Sequence, residues 1–169
     1  HLLFNSWALF SLGQQMEQLY GVVRFSALYL LAGVAGNALS YVGNDSLSAG
    51  ASGAIFGLIG AAIAYFVTYR EEFGGWGQRQ LRNMVIVAGY NLVIGFTSGG
   101  IDNLGHIGGL LAGLALGWGY CPRYRVVEPS ALGAPLALVD AFPRRRALLA
   151  TVGVVLVIVA LVVIGKLSN

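Results

Sequence analysis

The sequence has few charged residues, only 10% of its 169 positions, against roughly 25% in an ordinary soluble protein. Hydrophobic residues make up 57%. A soluble fold of this size needs more polar surface than these residues supply, which excludes the common soluble classes. The few charges are also clustered, and they leave apolar stretches long enough to cross a bilayer core of about 30 Å. We therefore predict an all-α fold, a polytopic transmembrane helical bundle.

Cysteine and histidine are scarce as well. The single cysteine, Cys121, excludes an internal disulfide and offers no metal-binding cluster. The only two histidines are His1 and His106. Because His1 already lies in an apolar segment and no basic leader precedes it, we expect a fragment of a longer protein and no visible signal peptide.

Six apolar segments are predicted to span the membrane: residues 2–20, 25–42, 51–69, 83–98, 104–120 and 147–165. Most of the 25 glycines lie inside these segments rather than in polar linkers, so they are interpreted as positions where helices approach closely. All four prolines fall in the long basic connection 121–146.

The arginines predict the orientation of the spans. If each segment crosses once, every arginine falls on one side of the membrane and only Lys166 on the other. Basic residues near spans favour the cytoplasmic face, so that side is predicted to be cytosolic. Nucleic-acid binding is not expected, because the arginines flank spans and lack interleaved aromatic residues.

This topology places three polar groups at similar depth near the outer face. His1 and Asn5 begin the first span, Ser52 lies at the outer end of the third, and His106 lies at the outer end of the fifth. Ionisable residues within spans are costly and usually face a protein interior or a wet cavity. Their convergence is the first indication of a functional site.

Glycines surround the serine, in Gly50-Ala51-Ser52-Gly53. They allow another helix or a substrate backbone to approach the hydroxyl closely. The alternative is a structural serine that bonds back to its own helix, which is the usual role of a lone serine in a membrane helix.

The histidine lies in a similar setting, where Gly105, Gly109 and Gly113 recur every four residues on one helix face. This stripe predicts tight packing on the helix that carries Ser52. The alternative is a packing motif that includes a structural histidine.

Taken together, the two segments predict a Ser52–His106 dyad. A serine hydroxyl is a weak nucleophile and needs an adjacent base, and imidazole suits that task. The spans contain one acidic residue, Glu17, at the inner end, while Asp102 lies in an outer loop. We therefore predict a dyad rather than a Ser-His-Asp triad.

Three motifs in this order resemble those of rhomboid intramembrane serine proteases: HLLFN at 1–5, GASG at 50–53 and GHIGG at 105–109. They correspond to the family's His-x-x-x-Asn, its Gly-x-Ser-Gly and its histidine helix. The similarity runs from His1 to about Tyr120 and includes the turn from Glu17 to Arg24.

The resemblance implies a role for each residue. Ser52 would attack the scissile carbonyl, and His106 would accept the proton and later return it. His1, Asn5 and the Ser52 backbone N–H would donate to the oxyanion; such donors are worth about 3–4 kcal/mol each in other serine proteases. Without the resemblance, interhelical hydrogen bonding explains His1 and Asn5 equally well.

Further parts of the family's site fall on other segments. Phe56 occupies a position where rhomboids often carry a tyrosine that packs on the imidazole, and here the ring is kept without the hydroxyl. The family's substrate gate and cap correspond to about Asn83 to Phe96 and Thr97 to Asn103. A plain flexible turn explains the glycines of the second segment as well.

The domain organisation implied is a rhomboid core at 1–120, a basic cytosolic loop at 121–146 and an additional transmembrane helix at 147–165. The family's first transmembrane helix and its large outer loop would precede His1, so this core lacks them. The extra C-terminal helix resembles that of seven-helix rhomboids.

The function implied is a serine endopeptidase that cleaves single-span transmembrane proteins, in a lipid bilayer, through an acyl-enzyme. No metal or organic cofactor is implied, and the expected location is a bacterial plasma membrane with the site facing outward. The main alternative is a catalytically silent rhomboid-like protein that binds transmembrane clients, although Ala51 and the complete dyad argue against it. A transporter or channel would need polar groups deeper along a path.

Overall fold

The computed structural model describes residues 2–44, 51–97, 100–127 and 137–168. Within these residues the chain forms six helices and one antiparallel hairpin: α1 Leu2–Tyr20, α2 Val22–Gly43, α3 Ser52–Thr68, α4 Gly74–Thr97, α5 Asn103–Tyr120, β1 Tyr124–Val127, β2 Ala137–Asp140 and α6 Arg144–Ser168. The helical bundle predicted from the sequence is confirmed. Consecutive helices run in opposite directions, so α1, α3 and α5 begin at the end of the bundle where α2 and α4 finish.

Five of the six helices begin and end within three residues of the predicted segments. The exception is α4, which begins at Gly74 rather than near residue 83. The prediction was wrong there because residues 78–82 (QRQLR) are good helix formers but mostly polar, so an apolar pattern does not detect them. The hairpin, which pairs Tyr124 with Asp140 and Val127 with Ala137, was not predicted at all.

By length and composition, two helices of the described residues could cross a membrane, Val22–Gly43 and Arg144–Leu167. Ser52–Thr68 is apolar but shorter. The exposed faces are nevertheless rich in large apolar side chains, as on α6, where Leu149 and Leu156 are each 63% exposed. Surface of this kind is suited to contact with lipid rather than with water.

The centre of the bundle is formed by α2, α3 and α5, which pack most extensively against each other. Glycine makes the approach close enough for backbone contact. A Cβ on Gly113 of α5 would collide with the Gly57 carbonyl of α3, and one on Gly36 of α2 would lie 2.5 Å from the Gly105 carbonyl. Since the missing side chains are what permits this distance, these glycines fix the relative placement of the three helices.

Polar contacts tie the helix ends together at the arginine-rich end of the bundle. The buried Tyr20 hydroxyl lies 2.9 Å from the Ala61 carbonyl oxygen and 3.1 Å from that of Gly117, so it links α1 to α3 and α5. Arg24 forms an ion pair with Asp140 at 2.6 Å, which holds the hairpin against α2. These contacts lie at the end of the bundle opposite to the one where α3 and α5 begin.

Candidate active site

The contact between α3 and α5 determines where the predicted dyad lies. Ser52 is the first residue of α3, and His106 is the fourth residue of α5. Beside them the two backbones touch: a Cβ on Gly53 would lie 3.1 Å from the Gly105 carbonyl oxygen, and one on Gly109 would collide with the Gly53 carbonyl. The helices thus bring the serine and the histidine to the same end of the bundle.

The start of α5 is fixed by Asp102. One oxygen of its carboxylate accepts from the Gly105 backbone N–H at 2.8 Å, which caps the helix. The same oxygen accepts from the Asn44 side chain at 2.9 Å, which joins the end of α2 to the start of α5. The acidic residue nearest to His106 in sequence therefore has a structural role, and it sets the position of the turn that carries the histidine.

The His106 ring is held by stacking. The Phe56 ring lies parallel to the imidazole, with centroids 4.2 Å apart and an angle of 7° between the planes. His106 is buried, with 7% of its surface exposed, and its Nδ1 has no hydrogen-bond partner among the described residues. Its orientation thus depends on packing rather than on a bond to a carboxylate.

A cavity of about 470 Å³ opens beside the stacked rings. Ser52, Phe56 and His106 line it from α3 and α5, and Asn5 lines it from α1. A serine, a histidine and an asparagine from three helices therefore border one space. Nucleophilic attack on a carbonyl requires a nucleophile, a base and oxyanion donors, so these three residues are candidates for those roles.

Some predicted site features are not present or not described. Within the described residues, no hydrogen bond joins the Ser52 hydroxyl to His106; the two groups share the cavity instead. Such bonds are often long without substrate and tighten when substrate binds. His1 and Gly50 lie outside the described residues, so their predicted roles stay predictions.

Described residues of the segments predicted as gate and cap also border the cavity, while residues 98–99 of the cap lie outside the described part of the chain. Met84, Val87 and Ile94 of α4 line one wall, and Ile101 lines the wall between α4 and α5. The Asn103 side chain donates to the Leu92 carbonyl at 3.1 Å and so connects the start of α5 to α4. Movement of these segments stays a prediction.

Three polar residues of the cavity were not predicted from the sequence: Ser11 and Gln15 on α1, and Asn91 on α4. The sequence does single them out as candidates, because polar side chains are rare in the apolar segments and Gln15 follows Ser11 by one helical turn. What the sequence did not indicate is which way each helix face turns, since lipid-facing and protein-facing sides are both apolar here.

Comparison with known proteins agrees with the motifs. A family model described as the Rhomboid domain matches residues 1–123. The chain is 44% identical over 117 residues to the rhomboid protease GluP of Bacillus subtilis, a match that covers 67% of this chain and 22% of GluP.

Two further relatives come from a plant and from the same bacterium. The chain is 34% identical to RHOMBOID-like protein 5 of Arabidopsis thaliana, over 76% of this chain and 43% of that protein. It is also 34% identical to the putative rhomboid protease YdcA of Bacillus subtilis, over 69% of this chain and 58% of YdcA. In each case the chain spans less than two thirds of the relative.

Proposed function

The chain belongs to the rhomboid family and is thus an integral membrane protein, and we propose that it is a serine endopeptidase that cleaves transmembrane proteins. The single observation that carries the proposal is the shared cavity of Ser52 and His106, with the imidazole stacked on Phe56. Two relatives that bear the name protease support it.

The proposed reaction begins with attack of the Ser52 Oγ on the scissile carbonyl carbon while a nitrogen of His106 removes the hydroxyl proton. Because Nδ1 is buried, Nε2 is the nitrogen assigned to this task. The tetrahedral intermediate expels the amine, which takes the proton from the imidazolium. An acyl ester on Ser52 remains, and water activated by His106 hydrolyses it to a carboxylic acid and the free hydroxyl.

The oxyanion of the tetrahedral intermediate needs donors that are already in place. Asn5 supports this role, because its side chain lines the same cavity as Ser52. The Ser52 backbone N–H lies in the first turn of α3, where N–H groups lack an intrahelical acceptor, and it is the second proposed donor. His1 completes the proposed set by resemblance to the family motif.

A dyad rather than a triad is proposed for two reasons. The Asp102 carboxylate caps α5 and accepts from Asn44. Phe56 provides the support for the imidazole that an aspartate provides in a triad. Packing by a ring keeps a second charge out of the membrane, where it would be costly.

The proposed organisation follows from the helix ends. The dyad lies where α3 and α5 begin, whereas every arginine lies toward the opposite end of the bundle. The positive-inside rule supports a site that faces the outer side of the membrane, and a bacterial plasma membrane is the proposed location. Residues 1–120 form the proposed core, 121–146 the cytosolic connection and 147–165 an additional membrane helix; single-span proteins are the proposed substrates.

Labelling with a fluorophosphonate tests the nucleophile. The probe forms a phosphonyl ester with an activated serine, so the protein is expected to react, and Ser52→Ala and His106→Ala are expected to abolish the reaction. Ser6→Ala is the matched control, because Ser6 is an exposed serine of α1 that is not among the cavity residues. Labelling that persists in Ser52→Ala would discard Ser52 as the nucleophile, and absence of labelling in the unmodified protein would favour a protein that only binds transmembrane clients.

A further inference from the structure

Four arginines gather where α5 ends and α6 begins. Arg144, Arg145 and Arg146 form the first turn of α6, and Arg123 follows the end of α5 by three residues. Arg123 lies close enough to Arg146 for the two positive charges to repel each other. The backbone N–H groups in the first turn of a helix add to this positive potential. The arginine cluster therefore favours a negatively charged partner.

None of these four arginines forms an ion pair within the part of the chain that the structure describes. The Asp140 carboxylate, which lies beside Arg123, is already used. It pairs with Arg24 at 2.6 Å and accepts from the Arg123 backbone N–H at 2.8 Å. The described residues thus leave the charges of the cluster without a counterion.

Arg146 differs from Arg144 and Arg145 because its side chain is held in place. Its guanidinium carbon lies 3.5 Å from the centre of the Trp118 ring, and the residue is half-buried, whereas Arg144 and Arg145 are exposed. The Arg146 Nε and Nη2 atoms are buried and have no hydrogen-bond partner among the described residues. A partly desolvated cation without a partner is costly, so a negative charge beside it would stabilise this arrangement.

Contacts between α5 and α6 fix the position of the cluster. A Cβ on Gly119 would collide with the Ala150 side chain, and the hydroxyls of Tyr120 and Thr151 lie 2.7 Å apart. Trp118, two residues before the end of α5, is 53% exposed. Tryptophan is enriched where a membrane protein passes from hydrocarbon to water. The cluster therefore lies at the level of the lipid headgroups.

Apolar surface begins directly beside the arginines. Leu148 and Leu149, in the next turn of α6, are each 63% exposed, and Val152 is 45% exposed. A soluble phosphate compound would contact the arginines alone. A phospholipid would place its phosphate at the arginines and its acyl chains along these apolar side chains, so it satisfies both parts of the surface.

We propose that the end of α5 and the start of α6 bind an anionic phospholipid, with Arg144, Arg145 and Arg146 around its phosphate and Trp118 beside its glycerol and acyl chains. Guanidinium groups can donate two parallel hydrogen bonds to a phosphate. Basic pockets between membrane helices are known to hold anionic headgroups on the cytoplasmic side. The inference concerns a lipid partner and does not depend on the proposed function.

Quenching of tryptophan fluorescence by brominated lipid tests the proposal. The chain has three tryptophans, so Trp7→Phe with Trp76→Phe leaves Trp118 as the reporter. The protein is placed in phosphatidylcholine vesicles that contain a small fraction of either brominated phosphatidylglycerol or brominated phosphatidylcholine. The association constant at Trp118 is expected to be about fivefold or more higher for phosphatidylglycerol, since each arginine near the surface contributes about that factor. A ratio of one would overturn the proposal.

Two matched pairs of substitutions separate a local site from diffuse attraction by net charge. Arg144→Gln with Arg145→Gln removes two exposed charges of the cluster and is expected to move the ratio toward one. Arg79→Gln with Arg82→Gln removes two exposed charges of α4 at the same end of the bundle and is expected to keep the ratio. Equal losses in the two pairs would overturn a site at the start of α6.

A single substitution tests the stacked guanidinium. Arg146→Gln is expected to lower the ratio about fivefold, and Arg146→Lys, which keeps the charge, is expected to lower it less. An unchanged ratio in Arg146→Gln would overturn the role of Arg146 as a ligand. Because Arg144 and Arg145 are exposed, their double variant provides the test even where a change at the half-buried Arg146 lowers stability.

Inorganic phosphate distinguishes a lipid from a soluble anion. When phosphate replaces chloride at constant ionic strength, the ratio at Trp118 is expected to stay unchanged, because phosphate lacks acyl chains to contact α6. A loss of the ratio in phosphate but not in chloride would overturn the assignment to a lipid and indicate a soluble phosphate compound.

Discussion

The Phe56 ring stacks on the His106 imidazole, with centroids 4.2 Å apart and planes 7° from parallel. The two residues come from different helices, so the stacking couples the packing of α3 and α5 to the orientation of the proposed base. Because His106 Nδ1 has no hydrogen-bond partner among the described residues, this contact carries much of the positioning that a carboxylate provides elsewhere.

Replacing Phe56 by Leu removes the stacking while keeping an apolar side chain. An aromatic pair contributes about 0.5–1.5 kcal/mol beyond its buried area, so kcat is expected to fall about two- to tenfold. Phe56→Tyr, which keeps the ring, is the control and is expected to stay close to the unmodified protein. Steady-state cleavage of a transmembrane substrate measures both, and equal rates for Phe56→Leu and Phe56→Tyr would contradict the positioning role.

Asp102 distinguishes a dyad from a triad. In Asp102→Asn the side chain can still accept from the Gly105 backbone N–H, so activity is expected to stay within a few-fold of the unmodified protein. In a triad the same change costs about 10⁴ in kcat. A loss of that size in the rate of cleavage would therefore show that the carboxylate takes part in catalysis.

Asp102→Ala tests the cap itself. Loss of the capping side chain is expected to cost about 0.5–2 kcal/mol of stability, because the Gly105 N–H loses its acceptor at the start of α5. Thermal unfolding in detergent measures the change. A melting temperature equal to that of Asp102→Asn would contradict the structural role.

Gly109 tests the backbone contact beneath the dyad. A methyl group there would collide with the Gly53 carbonyl, and overpacking of this kind costs about 1–3 kcal/mol. Gly109→Ala is therefore expected to lower the melting temperature and the rate of fluorophosphonate labelling together. Gly153→Ala is the control, because a Cβ at Gly153 of α6 meets no atom within 4 Å. Equal stability of the two variants would contradict the close contact of α3 and α5.

The sequence predicted the elements that follow directly from apolar runs and missed those that depend on other interactions. Long apolar segments determine where α1 and α6 lie. The first turns of α4, from Gly74, are mostly polar. They are helical because their residues favour helix, which hydropathy does not report. The hairpin depends on contacts remote in sequence, such as Asp140 with Arg24 and with the Arg123 backbone N–H.

The candidate site likewise includes residues that the sequence predicted and residues that it did not. The convergence of Ser52 and His106 could be predicted, because alternating spans place both at one end and glycine permits their helices to touch. The places of Ser11, Gln15 and Asn91 in the cavity could not, because they depend on the rotation of α1 and α4 about their axes. Packing on α3 sets that rotation, and no period in the sequence reports it when both faces are apolar.

The central claim is that Ser52 and His106 together cleave a peptide bond, and the most direct measurement is cleavage of a single-span reporter by the protein in lipid vesicles, with products identified by mass spectrometry. The expected result is one cut in or beside the membrane-spanning segment with the unmodified protein and with Ser6→Ala, and no cut above background with Ser52→Ala or His106→Ala. The same product formed by Ser52→Ala at the unmodified rate would contradict the account.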